Sequence, residues 1–381
     1  MNKISFISQI SKFFLAVLVC FGINTVGTAQ VIRWPAVAGI NYPAEPEVLL
    51  HTVRNFFDRA DTPELSERLT AVIASAAPYA LAGEVTAHAF KSLQPGQYER
   101  VIIIAPGHGP MFENCSLPTV DIFLSPLGPV PVDAPAVRYL LYSPLFRAHQ
   151  LRYQQGKPED RIHEYEFAIE SLLPYLQQRL QEFKLVPILV GDLRDPQGKV
   201  NTNTVRAIAE TIKMIINERT LVVVASSFTH YGSDYGPLKF EDNVSDHIAK
   251  LDRQAFETIL SLNREGFREY MAKSSNVIDG NYCIQLLFYL LPRSCQARIL
   301  AYDTSMSKTK ETDRSVSYAS FVFHDLEKPA LSAQPEKVRP LILQNPEEMT
   351  APTESGMEKE AETLPKEDTN LPTEETTPSE P

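Results

Sequence analysis

The chain has 381 residues, 44% of them apolar and 9% aromatic, which is enough for a substantial core in one large domain or two ordinary ones. Its formal charge is −11, yet the stretch from Asn345 to Pro381 alone contributes −9. The rest is therefore close to neutral, and nothing in it recommends a nucleic-acid binder.

The first 29 residues read as a signal peptide. The opening "MNKISFISQISK" carries Lys3 and Lys12 and no acid, the apolar run "FFLAVLVCFGINTV" follows, and "GTA" at 27–29 supplies small residues for cleavage after Ala29. The run is shorter than the ~20 apolar residues a membrane span needs. An uncleaved anchor is the competing reading, and it is the one route by which this chain is expected to touch a membrane. Either way the body is expected outside the cytoplasm, periplasmic or extracellular.

From 31 to 327 strands and helices alternate. "LTAVIASA" (69–76), "ERVIIIAP" (99–106), "FKLVPILVG" (183–191) and "TLVVVAS" (220–226) are short β-branched runs of the kind covered on both faces. Between them lie helical patterns at 83–93, 164–183, 203–216 and 246–262. In the second, Phe167, Ile169, Leu172, Leu173, Leu176 and Leu180 recur at helical spacing. The alternation predicts a single α/β domain with a largely parallel central sheet flanked by helices. Residues 328–344 read as a linker, and the Pro-, Thr- and Glu-rich stretch 345–381 as a disordered acidic tail.

Three cysteines follow the leader. Cys283 and Cys295 could pair in an oxidising compartment, leaving Cys115 over, or all three are small buried residues. In open α/β sheets ligands bind beyond the carboxyl ends of the strands. His108 closes "VIIIAPGH" and His230 closes "LVVVASSFTH", so both fall at strand ends. Such histidines are either hydrogen-bonded structural residues or members of a metal or catalytic site. Hydrolysis by Ser226 or Ser227 with His230 is disfavoured, because the glycines of a nucleophile elbow are missing.

The blocks "RWPAVAGINYPAEPEVL" (33–49), "IIIAPGH" (102–108), "SPLGPVPVD" (125–133), "KLVPILVG" (184–191), "VVVASSFTHYGSDYG" (222–236) and "IDGNYCIQLL" (278–287) occur in an order that resembles the Memo-like proteins, also called AmmeMemoRadiSam system protein B. That resemblance implies the fold of the class III extradiol ring-cleaving dioxygenases and a strand-end site reported in relatives to bind iron or copper. It also exposes departures. Ala76 stands where the family has its first histidine, Phe167 where "EHSLE" has another, Phe228 where "SSDxxHY" has an aspartate, and Asp279 where "CG" has a cysteine. His108, Glu166, His230 and Gly280 are kept, while Cys283 is not the family cysteine.

Two readings follow from the resemblance. His108, His230 and Asp279 form a two-histidine, one-carboxylate set for iron or copper, serving a redox or dioxygenase-like enzyme. Alternatively the site is degenerate, and Ala76, Phe167 and Phe228 make an apolar crevice that binds an unidentified small molecule or peptide without catalysis. Tyr79, Tyr231 and Tyr282 are further candidates to line it, Glu166 to face it, and Glu170 to brace its helix. Cytoplasmic relatives accompany a radical enzyme, a partner that an exported form is not expected to share.

Overall fold

Four apolar runs sit side by side in the middle of the main sheet, as their lack of polar alternation requires. The computed structural model describes residues 30–63, 66–109, 112–148 and 162–335. The leader and the acidic tail lie outside the described residues.

In chain order the strands are β1 (Ile32–Arg33), β2 (Glu67–Ala74), β3 (Arg100–Pro106), β4 (Cys115–Leu117), β5 (Ile122–Ser125), β6 (Gly128–Pro131), β7 (Phe146–Ala148), β8 (Lys184–Val190), β9 (Thr220–Ala225), β10 (His230–Tyr231), β11 (Cys295–Thr304) and β12 (Ser315–Pro329). The helices are α1 (Pro46–Arg59), α2 (Tyr79–Phe90), α3 (Ala134–Leu141), α4 (Ile162–Tyr165), α5 (Phe167–Glu170), α6 (Leu173–Leu180), α7 (Thr202–Lys213), α8 (Val244–Leu260), α9 (Arg264–Ser274), α10 (Asn281–Leu290) and α11 (Ser305–Thr309).

The main sheet runs β10-β12-β2-β9-β3-β8-β4-β7, with β11 also on β12. Its centre, β2-β9-β3-β8, is parallel throughout, in registers such as Val72↔Val223, Ile102↔Val222 and Ile102↔Val186. The expectation of a largely parallel sheet needs correction at the margins. Strand β12 runs antiparallel to β2, β10 and β11, and β4 runs antiparallel to β8, so the sheet is mixed. A separate small sheet joins β1, β5 and β6.

Helices flank this sheet because each buries one stripe. In α7, Val205, Ile208, Ala209 and Ile212 are buried, and the Asn201 side chain caps the helix by accepting from the Thr204 N–H at 3.2 Å. Helix α2, with α1 and α6 against it, packs on β2, β11 and β12, while α10 packs on β3, β9 and α7. The single helix predicted over 164–183 is instead three short pieces, α4 to α6. Pro174 has no N–H for a continuing helix and is accommodated in the first turn of a new one.

The body extends past residue 327. Strand β12 reaches Pro329, the Ala330 N–H donates to Ser66 O at 2.9 Å, and the Gln334 N–H donates to Pro95 O at 2.9 Å. The first part of the predicted linker is thus hydrogen-bonded to the domain. Cys115 and Cys283 are buried and Cys295 half-buried, all three as free thiols, so the Cys283–Cys295 pairing does not form.

Candidate functional site

The four parallel strands end on one side of the sheet and deliver four short polar segments there: Ser75–Ala76 after β2, Ser226–Ser227 after β9, Gly107–His108 after β3 and Gly191–Asp192 after β8. Ser75 and Ser227 are joined across their strands by a hydroxyl hydrogen bond of 2.8 Å. The loop before α10 arrives from outside the sheet and places Asp279 over these ends.

Asp279 is fixed by backbone donors. Its Oδ1 accepts from the N–H groups of Ser227 at 2.7 Å and Gly280 at 2.6 Å, and from Ser226 Oγ at 3.3 Å. Gly280 is needed for this approach: a Cβ there would meet the Ser226 side chain at 2.4 Å and Ala225 O at 2.7 Å. The other oxygen, Oδ2, lies 3.5 Å from His108 Nε2. On the far side of the same ring, His108 Nδ1 donates to Glu166 Oε1 at 2.9 Å, and the His108 backbone N–H donates to Glu166 Oε2 at 2.6 Å. Phe167 lies against the face of the imidazole, with centroids 4.6 Å apart and planes 22° from parallel.

The ring is therefore held edge to edge between two carboxylates. Burial by itself pulls the His108 pKa down, but the hydrogen bonds and charges of Asp279 and Glu166 outweigh it and push it up to about 10. For Asp279 burial opposes ionisation, and His108, His230 and the Ser227 N–H overcome it, keeping the carboxyl below its usual value. At neutral pH this is a carboxylate–imidazolium–carboxylate cluster.

Sequence reasoning brings His108, Glu166, Phe167, Asp279 and Gly280 to one place, with Ala76 buried at the adjacent strand end. His230 belongs to the same neighbourhood through its effect on Asp279. Its Nδ1–H donates to Phe228 O at 2.7 Å and Val277 O at 3.1 Å, which fixes the orientation of the ring. Tyr282 stands beside the β8 end, where its hydroxyl donates to Asp192 Oδ1 at 3.1 Å. Asp192 is held low by Arg194.

Three expected crevice residues are elsewhere. Phe228 is fully buried against Phe256 and Phe321, because an apolar ring gains more in the core than at a wet rim. Tyr79 is sealed among Tyr42, Phe56 and Tyr175, with its hydroxyl donating to Ser171 O. Tyr231 stacks on Phe240, which in turn stacks on His247. The predicted apolar crevice is consequently more polar than expected, with Phe167 as the one of the two substituted phenylalanines that touches His108.

The donors Ser226 and Ser227 were missed as partners of Asp279. The only signal available was their place after an apolar strand. Cys283 lies close enough to Asp279 for that charge, added to burial, to hold its thiol protonated.

Among the described residues no three His, Cys, Asp or Glu side chains are arranged to hold a metal ion. As placed, His108 has no free ring nitrogen for a metal, because Nδ1 faces Glu166 and Nε2 faces Asp279, whereas the carbonyl-bound Nδ1–H of His230 leaves its Nε2 lone pair open. Also among the described residues, no helix is long and apolar enough to cross a membrane.

Comparison with known proteins agrees with the motifs. The chain is 27% identical to a MEMO1 family protein of Thermococcus kodakarensis over 303 residues, covering 77% of this chain and 99% of the relative. It is 30% identical to one of Archaeoglobus fulgidus over 298 residues (77% and 99%), and 28% identical to Protein MEMO1 of Xenopus laevis over 308 residues (76% and 97%). An uncharacterized protein of Escherichia coli K12 overlays with a TM-score of 0.42 at 8% identity, covering 67% of this chain and 99% of that one. Residues 33–322 match the family described as Memo-like protein, and with nearly the whole body accounted for in that match, the chain belongs to the Memo-like family.

Proposed function

We propose that this chain is an exported, non-catalytic member of its family, whose crevice binds a small molecule or peptide. The observation that supports this most is the double commitment of His108, whose two nitrogens face Glu166 and Asp279. An imidazole whose pKa is pushed up to about 10 is a poor proton shuttle at neutral pH, because it does not release its proton readily. Protonated, it has no lone pair for a metal. What it does offer is a fixed positive charge with a partly open side, flanked by Phe167.

Export rests on the leader, and predicts a mature protein that begins at Gln30. The alternative is an iron- or copper-dependent oxidoreductase using His108, His230 and Asp279. It requires His108 to exchange a carboxylate for the metal, and it draws support from the convergence of both histidines on Asp279.

Elemental analysis of the untagged full chain separates the two. Sub-stoichiometric iron and copper, indifferent to His108→Ala, is the result expected for a binding module. One equivalent of either metal, lost in His108→Ala, would overturn the proposal in favour of a metal centre.

A further inference from the structure

At the end of the main sheet opposite the crevice, where β2 and β9 begin, a groove of about 380 Å³ lies beside the end of α10. Its floor is apolar, formed by Val222, Leu287, Leu290 and Leu291. Its rim is basic. Arg68 is shared between Asp325 at 3.6 Å and Glu218 at 3.9 Å, whereas Lys213 and Arg293 are exposed and, among the described residues, have no carboxylate partner.

The described chain finishes next to this groove. Arg68 and Glu218 line both the groove and the recess under residues 328–334. The sequence that continues from Pro335 is "EKVRPLILQNPEEM" (336–349), in which Glu336, Lys337 and Arg339 precede the apolar triplet Leu341–Leu343 and Glu347 and Glu348 follow it. Leu341 is six steps along the chain from Pro335, a span of at most about 20 Å. The family match ends at residue 322, so this continuation lies beyond the shared domain.

We propose that the junction of the linker and the acidic tail folds back into this groove, with Leu341–Leu343 on the apolar floor and Glu347 and Glu348 against Lys213 and Arg293. Glu347 and Glu348 are opposite in charge to Lys213 and Arg293, an apolar triplet faces an apolar floor, and the tether is short. A short tether gives an effective concentration on the order of millimolar, so individually weak contacts suffice for occupancy.

Hydrogen–deuterium exchange on the full chain tests the proposal. Amides of 340–348 are expected to exchange about tenfold or more slowly than an unstructured peptide, given a tethered contact at millimolar effective concentration. Lys213→Glu with Arg293→Glu should abolish that protection, and adding Glu347→Lys with Glu348→Lys should restore it. Ile342→Asp should abolish it without altering any charge on the body. Coil-rate exchange in the wild type, or protection that survives both Lys213→Glu/Arg293→Glu and Ile342→Asp, overturns the proposal. So does protection that rises with protein concentration, which would assign the groove to the tail of a second copy.

Discussion

Glu166 and Glu170 stand one helical turn apart, and both are buried, yet they do different things. Glu170 is wholly enclosed. It pairs with the Arg33 guanidinium and accepts from Tyr42 Oη, from the Ala36 N–H at 2.8 Å and from the Val37 N–H at 3.0 Å. Glu166 pairs with an imidazole whose side chain is 31% exposed, and beyond that ring lies Asp279 at 19%. The first pair is closed on every side and clips the N-terminal segment to the body. The second has an open edge, where a ligand can reach the charge. Depth of burial does not separate a brace from a site; an unfilled side does. The two are also connected, since Arg33 donates to the backbone oxygen of Glu166 at 2.8 Å.

The contrast can be broken at several points. Arg33→Met should have the largest effect, about 3–5 kcal/mol by chemical denaturation, because it leaves Glu170 charged and enclosed without its partner. It should also loosen Glu166, visible as a change in the His108 imidazole resonance. A loss no larger than that of an exposed ion pair would show that the enclosure is not what distinguishes the two carboxylates. Gly280→Ala forces Ser226 or Asp279 to move and should cost about 1–3 kcal/mol, with the His108 pKa falling as Asp279 retreats.

His108→Gln should cost about 1–2 kcal/mol at neutral pH, less than the enclosed pair because the ring is partly solvated. Its pH dependence has a definite sign. The folded pKa is raised, so the stabilisation from the clamp is complete below the ordinary value of 6.5 and disappears as pH rises through about 10. The stability difference between wild type and His108→Gln should narrow over that interval, and a constant difference would remove the imidazolium from the account. Phe167→Ala should be mildest, about 0.5–1.5 kcal/mol from the lost ring contact, and should leave the Arg33–Glu170 pair untouched.

The middle of the fold was legible because β2, β3, β8 and β9 are continuous apolar runs, and such runs report burial on both faces. The three-piece path of 162–180 was not, since the apolar stripe from Phe167 to Leu180 keeps helical spacing across the break at Ser171 and Leu172. Strand β12 went unread for a different reason. Its first six residues include three small polar ones on both faces, Ser315, Ser317 and Ser320, which are themselves buried, so its sequence lacks the usual contrast between faces. In the site, His108 and Asp279 were found through strand ends and motif order. The position of Phe228 could not be found that way, because a motif fixes where a residue falls along the chain and not which way its side chain turns.

Strand β12 also bears on the order of assembly. Its partner β2 lies far back in the chain, and Thr70 Oγ1 reaches Phe323 O across 253 positions. During synthesis β2 therefore has one hydrogen-bonding edge unclaimed until almost the entire body has emerged, and such non-local pairing is slow to form. A fragment that stops before Ser315 keeps that edge permanently bare and should self-associate. A last-made strand that completes the sheet therefore acts as a natural delay on folding.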